Sequence, residues 1–339
     1  FYGRWNRKFD GSHINVAMAD AKFKRALQIN VHSAFPQESV EIIKKTYFRA
    51  SEVHDSRYEP SLAPVIWPGQ VVSTRLKAEC EGLFMAHLVV RDIEGNTANS
   101  KDLMLISEFG NFEIQIPRDF SLVAEVGVVL VCLDRTFLTH LWMDSVMIKG
   151  SVDFDWDMTK LPMEDYGLTF YMGNHREIAG CTHVNGDWIV DGGITCLSDE
   201  RSMLLFGDVR WKNLQFEVDL QCWEQGSSVC FAVQGANNFI EIVRINQMEI
   251  HINHVVGKKF QNLSKLIISN VKYDQISLHI ECDSHIIIFK VDALTVGKIF
   301  INKGSITGGL GFISARKNSI VITGIRVSKA DFNINEEET

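Results

Sequence analysis

The sequence predicts an all-β protein made of two antiparallel β-sandwich (jelly-roll) domains in tandem, and three observations carry that prediction. The dominant apolar period is two: in LQFEVDLQCW (214–223), Leu214, Phe216, Val218, Leu220 and Cys222 fall on one face, with Gln215, Glu217, Asp219, Gln221 and Trp223 opposite. Gly, Asn and Asp punctuate such runs at Asn185-Gly186, Asp191-Gly192, Gly235-Ala-Asn-Asn238 and Lys303-Gly304, where tight turns need positive φ angles. The chain has 339 residues and 46% hydrophobic content, enough for two single-core domains.

Taken in order, the first domain spans 1–150, with strands expected at 25–35, 70–79, 84–91, 111–117, 127–133 and 141–149. Helical periodicity is weak throughout, and only 38–45 reads as a short helix. Residues 151–176 are acidic, aromatic and without sustained period, so they read as a linker. The second domain covers 177–330, where alternation recurs at 248–254, 274–282 and 311–314, and 331–339 is an acidic tail. Within it, Trp188 and Ile194 read as inward anchors of an opening strand, with the Asn185-Gly186 and Asp191-Gly192-Gly193 bends around them.

Composition excludes several functions. A formal net charge of -8 with scattered basic residues argues against nucleic acid or an anionic membrane as partner, and no apolar run approaches the ~18 residues of a membrane-spanning helix. The seven cysteines include no Cys-x-x-Cys pair and read as small buried hydrophobes. Cys222 and Cys230 lie close enough in sequence to face each other across a hairpin, but a large core needs no such staple, and unpaired cysteines favour the cytoplasm. The chain opens at Phe1, as a piece of a longer or processed protein would.

From Gly186 to Val327, the order NGDWIVDGGI, LLFGDVRWKNLQFEVDL, SVCFAVQGANNFIEIVRI and GGLGFISARKNSIVITGIRV resembles concanavalin A-like jelly rolls of the laminin-G-like and 3-keto-disaccharide-hydrolase types. The first half, with WPGQVVSTRLKAE, MAHLVVRDIEGN and HLWMDSVMIKG, resembles a galactose-binding-like or carbohydrate-binding-module β-sandwich. As a pair they are similar to the accessory domains that follow the helical catalytic domain in some bacterial ADP-ribosylglycohydrolase proteins. That resemblance implies a non-catalytic module for a carbohydrate or sugar nucleotide, docked beside a catalytic domain of a parent chain. The family's helical domain and metal-binding acidic motifs are missing from this sequence, so its activity is not carried over.

Sugar recognition needs flat apolar surfaces for C–H faces and polar groups for hydroxyls. The candidate binding set is therefore Gln215, Glu217, Asp219, Gln221 and Trp223 on one strand, Arg244 and His251 on neighbouring strands, and Trp67 in the first domain. Trp67 and Trp142 read more readily as core residues than as stacking platforms, and Trp5 and Tyr58 read as rim aromatics.

An alternative is a glycoside hydrolase using Glu217 and Asp219. Jelly-roll glucanases carry Glu-x-Asp-x-Glu or Glu-x-Asp-x-x-Glu, but Gln221 and Cys222 occupy the places of the second Glu, and an amide cannot donate the proton. A third reading is a purely structural segment. No cofactor is implied, although sandwiches of this class leave room for a structural calcium, for which Asp153, Asp155 and Asp157 are the most suggestive cluster.

Overall fold

A computed structural model describes residues 6–10, 15–20, 27–47, 66–169, 173–257, 259–268, 275–283, 285–292, 294–300 and 306–330. The tail at 331–339, Trp5, Tyr58 and the Lys303-Gly304 turn lie outside the described residues. Two compact units emerge, the first from Phe1–Phe48 and Ile66–Gly150, the second containing Ser151–Thr339. No helix occurs among the described residues.

The first unit comprises β1 (Asn6–Asp10), β2 (Asn15–Asp20), β3 (Leu27–Ala34), β4 (Ser39–Lys45), β5 (Val71–Ala78), β6 (Phe84–Asp92), β7 (Thr97–Asn99), β8 (Leu103–Met104), β9 (Gly110–Gln115), β10 (Val123–Cys132), β11 (Thr136–Met143) and β12 (Met147–Lys149). One sheet runs β1-β4-β10-β6-β7 with β8 on β6, the other β12-β5-β11-β3-β2 with β9 on β5. Ile42, Leu88, Val128, Leu130, Ile29, Leu76 and Leu141 are among the buried side chains of this core.

The segment expected to be helical, 38–45, is instead strand β4, paired on both sides by β1 and β10. Its Val40, Ile42 and Ile43 are stiff at χ1 and favour a pleated surface over a helix. The strand expected at 141–149 is two strands, broken where the Asp144 N–H donates to the Arg75 carbonyl.

The second unit comprises β13 (Phe154–Asp157), β14 (Met163–Thr169), β15 (Gly173–Ile178), β16 (Cys181–Asn185), β17 (Trp188–Val190), β18 (Ile194–Cys196), β19 (Ser202–Phe206), β20 (Leu214–Trp223), β21 (Ser228–Gly235), β22 (Asn238–Arg244), β23 (Glu249–Val256), β24 (Lys259–Ile267), β25 (Ile276–Cys282), β26 (Ile286–Val291), β27 (Leu294–Phe300), β28 (Gly309–Ser314) and β29 (Ile320–Lys329). Its front sheet runs β17-β18-β29-β20-β25-β26-β27 with β13 on β29, and its back sheet β16-β19-β28-β21-β22-β23-β24; β14 and β15 form a separate hairpin.

Residues 154–157, read from sequence as linker, pair with β29 instead. The run FDWD alternates in a strand period that its acidity conceals: Phe154 and Trp156 are buried beside Phe206, while Asp155 and Asp157 face out. Trp188 and Ile194 are both fully buried, as their strand positions predict. Gly186 sits at φ 87°, and a Cβ there would come within 2.2 Å of Ser202 Oγ, so the bend requires glycine. All seven cysteines are free, and five of them are buried.

Candidate functional site

The polar face of β20 does face outward from the front sheet, but its groups are consumed by one another. The strand register aligns Asp155, Arg326, Glu217, His279 and Lys290 in one row across β13, β29, β20, β25 and β26. Arg326 Nε donates to Asp155 Oδ2 at 2.9 Å, and Arg326 Nη1 donates to Glu217 Oε2. His279 Nδ1 lies 3.1 Å from Glu217 Oε1, and its Nε2 lies 2.8 Å from Glu281 Oε1, which Lys290 also reaches. Burial opposes ionisation of Glu281, yet hydrogen bonds from Lys290 and His279 hold its carboxyl below the usual range.

Both Glu217 oxygens are therefore engaged by cations or imidazole N–H groups, and Gln215 Nε2 donates to Ser328 Oγ at 2.7 Å. Asp219 and Gln221 are exposed. The candidate calcium ligands are similarly committed: Asp155 to Arg326, and Asp157 to Lys160 and Thr159.

The other expected site residues are dispersed rather than gathered. Simple alternation puts Trp223 with the polar residues, but the β20–β29 register shifts between Leu220 and Cys222, leaving Gln221 as the extra residue of a bulge. Alternation flips there, so Trp223 turns into the core at 2% exposure and its Nε1 donates to the Ser227 carbonyl at 2.9 Å.

Arg244 is buried beneath it, with Nη1 donating to the Trp223 carbonyl at 2.6 Å. His251 stands on β23 in the back sheet, 2.6 Å from Glu249 Oε1. Trp67 is a core residue of the first unit at 1% exposure. The strands flanking β20 are β25 and β29, not β22 and β23, a choice of partners that alternation does not encode.

A concave surface exists elsewhere, on the outward face of the back sheet. Residues that alternate with the core positions of β19, β28, β21, β22 and β23 form a second apolar layer of Met203, Ile313, Cys230, Val233, Phe239 and Val255. A cleft of about 450 Å³ opens over it, walled by Val184, Asn185, Arg201, Asn237 and Phe260. Its shape has local causes. Ala232 at φ 50° bulges β21, and the Gly257 N–H donates to the Asn237 carbonyl at 2.7 Å, tying two hairpin tips together.

The polar end of this surface is built on Glu241, whose side chain is 4% exposed. Its Oε2 accepts from Arg201 Nη2 at 3.2 Å and Ser228 Oγ at 3.3 Å, and its Oε1 from Asn253 Nδ2 at 3.0 Å. Asn262 Nδ2 in turn donates to Asn253 Oδ1 at 2.9 Å. Arg201 is half exposed and engages only Nη2, so Nε and Nη1 have no protein partner among the described residues. Phe260, 60% exposed, stands opposite Val255 as an apolar wall. Within the floor, burial and then the Glu241 charge push the Cys230 thiol far up, making it an inert hydrophobe.

The sequence did carry a signal for this site. In Phe239-Ile-Glu-Ile-Val243, the residues on both sides of the alternation are apolar, so Glu241 is a lone carboxylate in a strand covered on both faces. Such a carboxylate must find donors.

No family model matches the chain, and no curated protein matches it. Solved structures similar to it include the carbohydrate binding module CBM66 from Bacillus subtilis, at 16% identity and TM-score 0.39, covering 44% of this chain and 95% of that one. The N-terminal CBM22-1–CBM22-2 tandem from Paenibacillus barcinonensis is 10% identical with TM-score 0.27, covering 96% and 93%. A Trypanosoma rangeli sialidase is 7% identical with TM-score 0.38, covering 94% of this chain and 60% of that one. None of these likenesses is close enough to carry a residue or an activity across.

Proposed function

We propose that this protein is a carbohydrate-binding module whose second unit holds a neutral sugar in the back-sheet cleft. The observation that carries the reading is the half-engaged Arg201 at the mouth of an apolar cleft: Glu241 neutralises its charge, while Nε and Nη1 have no partner among the described residues. A guanidinium with free donors suits vicinal hydroxyls, and Asn253 and Asn262 extend the polar edge. Phe260 and Val255 offer the flat apolar contact that the C–H face of a pyranose or furanose ring requires. The volume fits a ligand of one or two rings, within the usual range for small-molecule pockets.

The accessory role beside a catalytic domain, implied by the resemblance, belongs to the same reading, because a tethered sugar-binding sandwich raises the local concentration of substrate. The test is calorimetry of the full chain against a panel of neutral oligosaccharides of glucose, xylose, galactose and fructose. Saturable heat that Arg201→Ala abolishes supports the reading; binding that survives Arg201→Ala, or none across the panel, sinks it.

A further inference from the structure

A second surface, in the first unit and independent of the back-sheet cleft, carries unengaged polar groups of a different character. On the outward face of the sheet containing β3, β11 and β5, the register places Gln28, Trp142 and Lys77 in one row and Asn30 and His140 in the next. Trp142 is not a core residue; it is half-buried and faces out. Lys77 Nζ lies 4.9 Å from the Trp142 ring centroid and 5.0 Å from that of Phe109, so two aromatic faces hold the ammonium between them. No carboxylate or other acceptor among the described residues binds it. The neighbouring Arg75 differs, since Asp144 takes its Nε and Nη2.

The amide groups beside Lys77 are held in one orientation. Gln28 Nε2 donates to Asn30 Oδ1 at 2.6 Å, and His140 Nδ1 donates to the same oxygen at 2.8 Å. Gln28 Nε2 also lies 3.5 Å from His140 Nδ1, and with these contacts made, Asn30 Nδ2, Gln28 Oε1 and His140 Nε2 have no partner among the described residues. A fixed cation beside a fixed set of donors and acceptors, with an aromatic ring at its centre, is complementary to a sugar that bears an anionic group.

We infer that this face binds an acidic polysaccharide, its carboxylate or sulfate on Lys77 and its hydroxyls on Asn30, Gln28 and His140. Affinity electrophoresis of the full chain in gels containing polygalacturonate, dextran sulfate or plain dextran tests this. Retardation by one or both acidic polymers beyond that by dextran is expected, and the polymer that retards identifies the anionic group as carboxylate or sulfate.

Lys77→Met keeps the aliphatic stem between the rings and is expected to weaken the acidic interaction about tenfold. Asn30→Ala, read by the same assay, supplies a second variant should Lys77→Met fail to fold. Arg201→Ala should lose any neutral-sugar heat yet keep the acidic interaction, which separates failure of this inference from failure of the cleft assignment. Equal migration in all three gels, or retardation unchanged in both Lys77→Met and Asn30→Ala, overturns the inference.

Discussion

The two outward faces of the second unit contain similar residue types and differ in how completely those residues satisfy one another. On the front sheet, Asp155, Arg326, Glu217, His279, Glu281 and Lys290 form a continuous row in which each charge meets its opposite. On the back sheet, Glu241 is buried and satisfied, but Arg201 above it is not. The front row resembles any solvated antiparallel face, where cross-strand charge pairs each contribute a few tenths to about 1 kcal/mol. The back cleft retains donors of Arg201 without a partner among the described residues, over an apolar floor. Polar composition therefore does not by itself mark a site, and the proposal rests instead on concavity and unused hydrogen-bonding capacity.

Four measurements break or sharpen this contrast. The largest effect is expected from Trp223→Ala, which removes a buried indole and leaves a cavity; it should lower stability by about 3–5 kcal/mol in denaturant titration. A change below about 1 kcal/mol would mean that the indole is not packed in the core.

Breaking the two carboxylate assemblies should come next, and unequally. Glu241→Ala strips acceptors from Arg201, Ser228 and Asn253 and should lower stability by about 2 kcal/mol while abolishing sugar binding. Glu217→Gln acts on a carboxylate 31% exposed and should cost no more than about 1 kcal/mol with sugar binding unchanged. Equal losses in the two variants would erase the distinction drawn between the faces, and lost binding in Glu217→Gln would return the site to the front sheet.

Smaller still is the acid response. Hydrogen bonds from Lys160 and Thr159 hold the Asp157 carboxyl down to about 2, and at Asp144 burial pushes the value up but Arg75 and the Ser145 hydrogen bonds outweigh it and hold the carboxyl below its ordinary range. A carboxylate depressed in the folded state contributes stability in full above its unfolded value of about 4, and that contribution disappears as pH falls through the folded value. Thermal midpoints should therefore hold constant down to about pH 5 and then decline toward pH 2. The Asp157 share is modest because its side chain is 43% exposed. Asp157→Asn should flatten part of that decline.

The smallest effect is expected from chelation. With Asp155 and Asp157 already bound to Arg326 and Lys160, EDTA should leave the thermal midpoint in place. A drop that calcium alone reverses would assign those carboxylates to a metal after all.

Much of the architecture could be read from the chain because period two is a local property: one face buried and one solvated writes itself into consecutive residues. The inward placement of Trp188, Ile194, Phe216 and Val218 follows from it directly. The signal fails where it is short or overlaid. In FDWD four residues are too few to outweigh two aspartates, and in 38–45 apolar spacing alone did not separate helix from strand until β1 and β10 paired with it.

Site residues were harder for two physical reasons. A single bulge at Gln221 inverted Trp223, and the choice of sheet for β22 and β23 carried Arg244 and His251 away from Glu217. The sequence by itself determined the all-β class, most strand faces and the turns at Gly186, Gly192 and Gly235, because each depends on neighbours one to four positions away. Only the tertiary structure decided which strands lie side by side. Pairing across a sheet joins residues about a hundred positions apart, such as Glu217 and Arg326, and that pairing closes one face and leaves Arg201 open on the other.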